Sequence, residues 1–266
     1  MIHPTAIIHP KAEVDPSSVI GPCAIIDAHV TVGPNCWIGP HVHLTGHTVI
    51  GPGNRFHAGS AIGEAPQDLK YHGAPTRLVI GANNVFREHV TVHRSNSESE
   101  PTEIGSNNFL MVHSHVGHNA RIGDHVILAN GSMLGGHALV QDRAFLSGNC
   151  MVHQFARIGT LALMQGGAGI SKDLPPFTIA RGINRICGLN IIGLRRAGVS
   201  AEQRLELKRL YHLLFRGART QREALTLAAS EFSSSTAKAL IEFIRESKRG
   251  LCADVSRGEE QGEEED

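Results

Sequence analysis

Residues 116–140 read Val116-Gly-His-Asn-Ala-Arg-Ile122-Gly-Asp-His-Val-Ile-Leu128-Ala-Asn-Gly-Ser-Met-Leu134-Gly-Gly-His-Ala-Leu-Val140, and the numbered residues fall six apart. Leu146 and Val152 carry the same beat to Gln154. Counted outward in both directions, every sixth position from Ile2 to Ile170 is large and apolar, except Asp68, Ala74 and Glu98. A helix would repeat every 3.6 residues and a strand every second one. A period of six belongs to a parallel β-helix of hexapeptide repeats, in which each short strand turns one aliphatic side chain inward. Three hexapeptides complete a triangular coil, so residues 18 apart stack at about 4.8 Å, the spacing of paired strands.

That register places polar residues relative to one another. His118 lies under Gly136 and Gly136 under Gln154, flanked by Gly117, Gly135 and His153 on one side and Asn119, His137 and Phe155 on the other. None is on the inward beat, so all face outward or stand at a corner. Histidines, a glutamine and small glycines on three successive coils form a candidate site.

Composition agrees with a solenoid. Aromatics are 5% and glycines number 29, as a narrow aliphatic core without room for rings and with tight corners requires. The formal net charge is zero, which argues against a general nucleic-acid binder. Five widely spaced cysteines without a CxxC read as reduced thiols, with no metal set among them. No basic leader with an apolar run opens the chain, and no stretch approaches the roughly 18 apolar residues of a membrane span. A cytoplasmic protein is expected.

Domain limits follow from where the beat stops. Residues 1–190 are expected to form the β-helix, with external loops near 63–78 and 94–102. The interval from Ile62 to Ile80 is 18, one whole coil, although its interior loses the pattern. The second loop, rich in Ser and Glu, reads as merely solvated. Residues 191–253 are expected to be a C-terminal α-helical domain, with Ser200, Thr220 and Ser235 as helix starts and apolar residues at helical spacing. Residues 254–266, acidic and glycine-interrupted, are expected to be disordered. A prism exposes flat faces, so a homotrimer is expected, and the helices are expected to cap the open end of the ladder.

The chain also resembles a family, on Gln67-Asp-Leu-Lys-Tyr with Pro75-Thr-Arg, Val92-His-Arg, His115-Val-Gly-His118, Leu128-Ala-Asn130, Gly136-His137, Val152-His-Gln-Phe155, Asp173-Leu-Pro-Pro176, Gly188-Leu-Asn-Ile and Gly193-Leu-Arg-Arg196. These segments resemble those of the acyl-carrier-protein-dependent UDP-N-acetylglucosamine O-acyltransferases that begin lipid A synthesis. The resemblance spans residues 1–252. It implies a left-handed parallel β-helix, two substrates (an acyl carrier protein and a UDP-sugar), no cofactor, and active sites between adjacent subunits of a trimer. It implies His118 as general base for transfer of a (R)-3-hydroxyacyl group to the glucosamine 3-hydroxyl. The backbone N–H of Gly136 suits the oxyanion. By the same resemblance Asp68 and Lys70 hold the sugar nucleotide, and His115, His137, His153 and Gln154 line the sugar and acyl sites. Asn190 and Arg196 meet nucleotide or phosphate, and Gly166 stands where a side chain would shorten the acyl channel.

Two departures matter. Asn119 follows the base where the family has an aspartate, which brings hydrogen bonding without negative charge. A weaker base would suit an amine, so N-acylation of a 3-amino analogue of the sugar is the alternative. Ile192 stands where the family carries an acidic residue. The basic cluster Arg195, Arg196, Arg204, Lys208 and Arg209 is either a solvated helical face or a dock for the acidic carrier protein. Two other classes are weaker, a zinc hydratase and a purely structural β-helix, the latter needing neither the Asp68/Lys70 loop nor the stacked His118–Gly136–Gln154 column. A zinc hydratase of this fold needs two histidines five apart, as His113 and His118 are, and a third 36 before the first, where Arg77 stands. The related N-acyltransferase carries a uridine-binding domain ahead of its coils, and a beat beginning at Ile2 leaves no place for one.

Overall fold

A computed structural model describes residues 1–255. Short strands step in rotation around three sheets of nine, eight and eleven strands, parallel but for one pairing near the C-terminal end of the last, which form the sides of a prism. Val116 pairs with Leu134, Leu134 with Val152 and Val152 with Ile170, each pair 18 residues apart. The inward beat is the core: Ile26, Ile38, Leu44, Ile62, Leu110, Val116, Leu128, Leu134 and Leu146 are fully buried.

The three breaks in the beat mark two inserts. Ile50 pairs with Ile80 and Ile62 with Val92, so Ile80 stands one side further round the prism from Ile62, rather than one coil above it. The intervening chain makes a single six-residue step and throws out a loop over 65–76, where Asp68 and Ala74 sit. Next, Ile80 pairs with Ile104 and Val92 with Val116, so a smaller insert lies between His93 and Thr102 and contains Glu98. Both inserts add whole multiples of six, which is why the count survives them while the 18-residue stacking does not.

Rings do enter the core. Phe56 and Phe86 are buried and stacked at 4.6 Å and 8°, because the rise between coils equals a ring-stacking distance. A ladder of buried asparagines runs beside them: Asn84 donates to Asn54 and Asn108 to Asn84, each Oδ1 taking a corner N–H of the next coil. The corners need left-handed backbone, and asparagine or histidine supplies much of it, including Asn119 (φ 58°) and His137 (φ 59°).

Added strands as well as helices follow the last coil. Thr178–Ala180 extends one sheet and Arg185–Leu189 turns back antiparallel to it. Ala253–Asp254 then pairs with that strand, so the open edge is covered by the chain's own β-structure. Order therefore continues past 253: Asp254 is buried and accepts from Tyr211 and Arg216. The rest of the acidic tail lies outside the described residues. Helices α1 (Ile191–Arg196), α2 (Ala201–Tyr211, continued by one wider turn), α3 (Gln221–Glu231) and α4 (Ser235–Arg245) pack alongside, with Ser200, Thr220 and Ser234 as caps. Asp173 pins the helices to the last coil: it accepts from Arg157 at 2.9 Å and from Ser247 at 2.9 Å, while Arg157 stacks on Phe243 at 4.2 Å. Among the described residues no helix is long and apolar enough to cross a membrane.

Candidate active site

A groove of about 600 Å³ runs up one side of the prism, lined by Gln67, His93, His115, His118, Gly136, His153 and Gln154 among others. Its centre is His118. A methyl group added to Gly136 would lie 2.6 Å from His118 Nε2, so only glycine lets the imidazole lie flat against the coil above. The same holds one step back, where a methyl on Gly117 would meet Gly136 N at 2.8 Å. Gly135 N–H is spent on Val152 O, whereas Gly136 N–H donates to no acceptor among the described residues and faces the groove.

The other face of His118 is fixed by Asn119. His118 Nδ1 lies 3.0 Å from Asn119 Oδ1. That oxygen also accepts the backbone N–H of Asn96 at 3.0 Å, and Asn119 Nδ2 donates to Ser95 Oγ at 2.7 Å. A backbone N–H can only donate, so the atom facing His118 is the amide oxygen and Nδ1 carries the proton. Nε2 is left with its lone pair, in the groove. Asn119 itself is buried, and its own N–H is satisfied by Thr102 Oγ1 at 2.7 Å.

Other histidines frame this one. Burial pushes the His115 imidazole down to about 4 and Thr91 Oγ1 holds its Nδ1 at 2.7 Å, so it is neutral in use. Burial also lowers His137, with the His118 ring, 5.3 Å away and edge-on, adding to the effect. His137 stacks on Phe155 at 4.4 Å, with Phe155 itself at a left-handed corner. His93, buried and lowered by burial, meets His115 edge-on at 4.9 Å.

Asp68 approaches from the first loop. Its carboxylate accepts Lys70 N–H at 2.9 Å and Asn96 Nδ2 at 2.7 Å, and these bonds lower its pKa. Lys70 is exposed at the loop tip. The second loop is therefore a buttress and not the solvated excursion its Ser- and Glu-rich text suggests. Ser95 is fully buried, and Arg94 donates to Gly63 O at 2.8 Å and to Tyr71 at 3.1 Å. The short six-residue insert cannot reach far from the prism, so it folds down onto its neighbours.

Three residues expected at the site lie elsewhere on this chain. Asn190 and Arg196 line a different groove, with Leu161, Leu163 and Ile192, on the eleven-stranded sheet. Asn190 is committed to structure there, capping α1 through Gly193 N–H and donating to Leu161 O. Gly166 stands on an exposed corner where a side chain would meet nothing closer than 3.6 Å, so the backbone does not demand glycine. Met164 is buried in the core. Sequence reasoning missed His93 and Gln67 as groove residues. His93 pairs into the coil beneath His115 and Val116, and the signal was available: subtracting the second insert from the register moves His93 under Gly117.

The comparisons with known proteins bear on this geometry. Residues 29–64 and 101–136 match the bacterial transferase hexapeptide model, and residues 173–252 match the second domain of UDP-N-acetylglucosamine O-acyltransferase. An acyl-[acyl-carrier-protein]–UDP-N-acetylglucosamine O-acyltransferase of Anaeromyxobacter sp. is 44% identical, over 94% of this chain and 98% of its own. The protein of that name from Halorhodospira halophila is 46% identical over the same shares. The chain belongs to the UDP-N-acetylglucosamine O-acyltransferase family. The solved Francisella novicida UDP-N-acetylglucosamine acyltransferase superposes with TM-score 0.92 at 34% identity, covering 97% of this chain and 96% of that one. The Campylobacter jejuni enzyme superposes with TM-score 0.90 at 30% identity, over 95% and 99%. The prism is thus the left-handed β-helix of this family, and the protein is an acyltransferase.

Proposed function

We infer that this protein transfers a (R)-3-hydroxyacyl group from acyl carrier protein to the glucosamine 3-hydroxyl of UDP-N-acetylglucosamine, the first step of lipid A biosynthesis. One observation carries the assignment of roles: in the neutral His118 ring Asn119 places the proton on Nδ1 and leaves Nε2 bare beside Gly136, whose N–H donates to no acceptor among the described residues. In this reading Nε2 takes the proton of the 3-hydroxyl as its oxygen attacks the thioester carbonyl. The oxyanion receives the Gly136 N–H, where a preorganised donor is worth most. Collapse expels the thiolate of the carrier, which recovers the proton from the imidazolium. Asn119 keeps Nδ1 protonated throughout. Asp68 and Lys70 hold the sugar nucleotide, and His115, His153 and Gln154 line the groove, with His137 edge-on against His118. Acyl carrier protein enters as substrate, and no cofactor has a part in these steps.

The proposal includes a homotrimer. Ile7, Ile25, Met133 and Met151 are exposed on the side of the prism that carries the groove, and Met133 and Met151 are each 51% exposed. Only a second copy could bring Asn190, Arg196 and Gly166 to His118 from their separate surface. The carrier protein would meet the basic helical face. There Arg204 is committed to Val199 O and Arg209 lies over Phe232, while Lys208 lines a small groove with Leu205 and Arg216.

The relatives are O-acyltransferases by name, so oxygen is taken as the acceptor and the amide-forming alternative is not favoured; nor is the hydratase. The test is acyl transfer from hydroxyacyl carrier protein to UDP-N-acetylglucosamine and, in parallel, to its 3-amino analogue. Turnover on the hydroxyl sugar that disappears in His118→Ala supports the reading, and turnover on the amino sugar alone would overturn it.

A further inference from the structure

The reaction as read above uses nothing from the second insert, yet its residues make the densest polar contacts around the base. Ser95 Oγ is fully buried and holds Asn119 Nδ2 at 2.7 Å; the loop pins that hydroxyl in turn through Ser97 N–H at 2.9 Å. Asn96 faces two ways. Its backbone N–H donates to Asn119 Oδ1 at 3.0 Å, and its side-chain Nδ2 donates to Asp68 Oδ2 at 2.7 Å. One residue thus touches both the group that orients the base and the carboxylate on the other loop.

We propose that Ser95 and Asn96 are positioning residues: together they lock the His118 tautomer through Asn119, and Asn96 sets Asp68 relative to that base. The inference rests on the reading of His118 as base and Asp68 as sugar ligand. Its physical basis is the neutrality of Asn119. An aspartate beside the base accepts at either oxygen, so its orientation needs no policing. An asparagine has one right way round. Turned over, it would point an N–H at His118 Nδ1, shift the ring proton to Nε2 and abolish the base. The Asn96 N–H forbids that turn, because it would then face another N–H across a buried contact. Ser95 opposes it because its O–H is already given to Ser97 O at 2.9 Å, so its oxygen meets Asn119 as an acceptor. The side-chain arm of Asn96 does a second task, since a carboxylate on a loop tip loses less freedom on binding sugar if it is already held.

The two arms separate by kinetics. Asn96→Ala keeps the backbone N–H and removes only the bond to Asp68. It should raise KM for UDP-N-acetylglucosamine about tenfold, with kcat within about twofold and KM for the acyl carrier protein unmoved. Ser95→Ala leaves the Asn119 amide held by the Asn96 N–H alone, so that its turned form becomes populated. It should lower kcat about tenfold with KM retained. It should also move the acid limb of the rate profile to lower pH, because a flipped amide disfavours the imidazolium. A merely structural loss would depress the rate equally at every pH and lower Tm, so Tm of the full chain is measured alongside. If both variants hold kcat and KM within about twofold of the parent while His118→Ala is inactive, the positioning role is wrong and the base reading stands. If Ser95→Ala loses rate uniformly across pH with a fallen Tm, the inference is likewise overturned. If His118→Ala turns over like the parent, the base assignment fails and takes the inference with it.

Discussion

Two corners of this prism carry histidines on almost the same backbone. At one, His89 and His113 take left-handed φ of 58° and 59° and stack face to face at 5.1 Å. At the other, Asn119 and His137 take φ of 58° and 59°, and His118 packs between Asn119 and Gly136. The repeat presents imidazoles at both places, His113 on the left-handed residue itself and His118 on the residue before it. What differs is what lies over them. The second corner is covered by two inserts that bring Asp68, Ser95 and Asn96 to it, and its neighbours His93 and His115 are withdrawn from water. An exposed stacked pair is a piece of surface; a ring whose tautomer is dictated, packed against a Gly136 whose N–H donates to no acceptor among the described residues, is a candidate for chemistry. In this fold the repeat supplies position and the departures from the repeat supply function.

That contrast breaks most visibly under substitution of the two corners. His118→Ala should cost about 10³-fold in kcat/KM, within the range for a positioned general base, while His113→Ala should stay within about twofold. Equal losses at both would show that the inserts do not set the corners apart. Acid stability sharpens the same point through His115. The unfolded chain takes up a proton near 6.5 that the folded site refuses until about 4, so the folded state loses stability as pH falls through that window and the loss levels off below it. The contribution is at most about 3 kcal/mol, read as a steeper fall of Tm between these pH values than in His115→Gln. Gly136→Ala should lower kcat about 10²-fold, since its methyl would drive into His118 Nε2 and tilt the N–H away from the oxyanion. Asn119→Asp should give the smallest effect. A carboxylate beside the ring stabilises the imidazolium and moves the acid limb of the rate profile to higher pH, with rates at its plateau changed by less than about tenfold.

Much of this was legible in the sequence. Its period of six fixed the prism, the inward residues and the column His118–Gly136–Gln154, because a parallel coil leaves each side chain only one direction at each step. Helix starts at Ser200 and Thr220 were readable because a cap is a local hydrogen bond. The stacking of two phenylalanines in the core was not, since composition says nothing of which rings meet.

The sequence by itself determined a repeating scaffold and which residues could stand together on one face of it. Tertiary structure decided how the inserts fold back. Lengths that are multiples of six hide in the count, so on the coil beneath His118's corner the true partners are 24 residues away, while those above are 18 away. It also decided that the Ser- and Glu-rich insert holds Asn119 beside His118, and that Asn190 caps a helix. Hydrogen-bond partners of loops depend on where the chain returns in space, and periodicity carries no record of that.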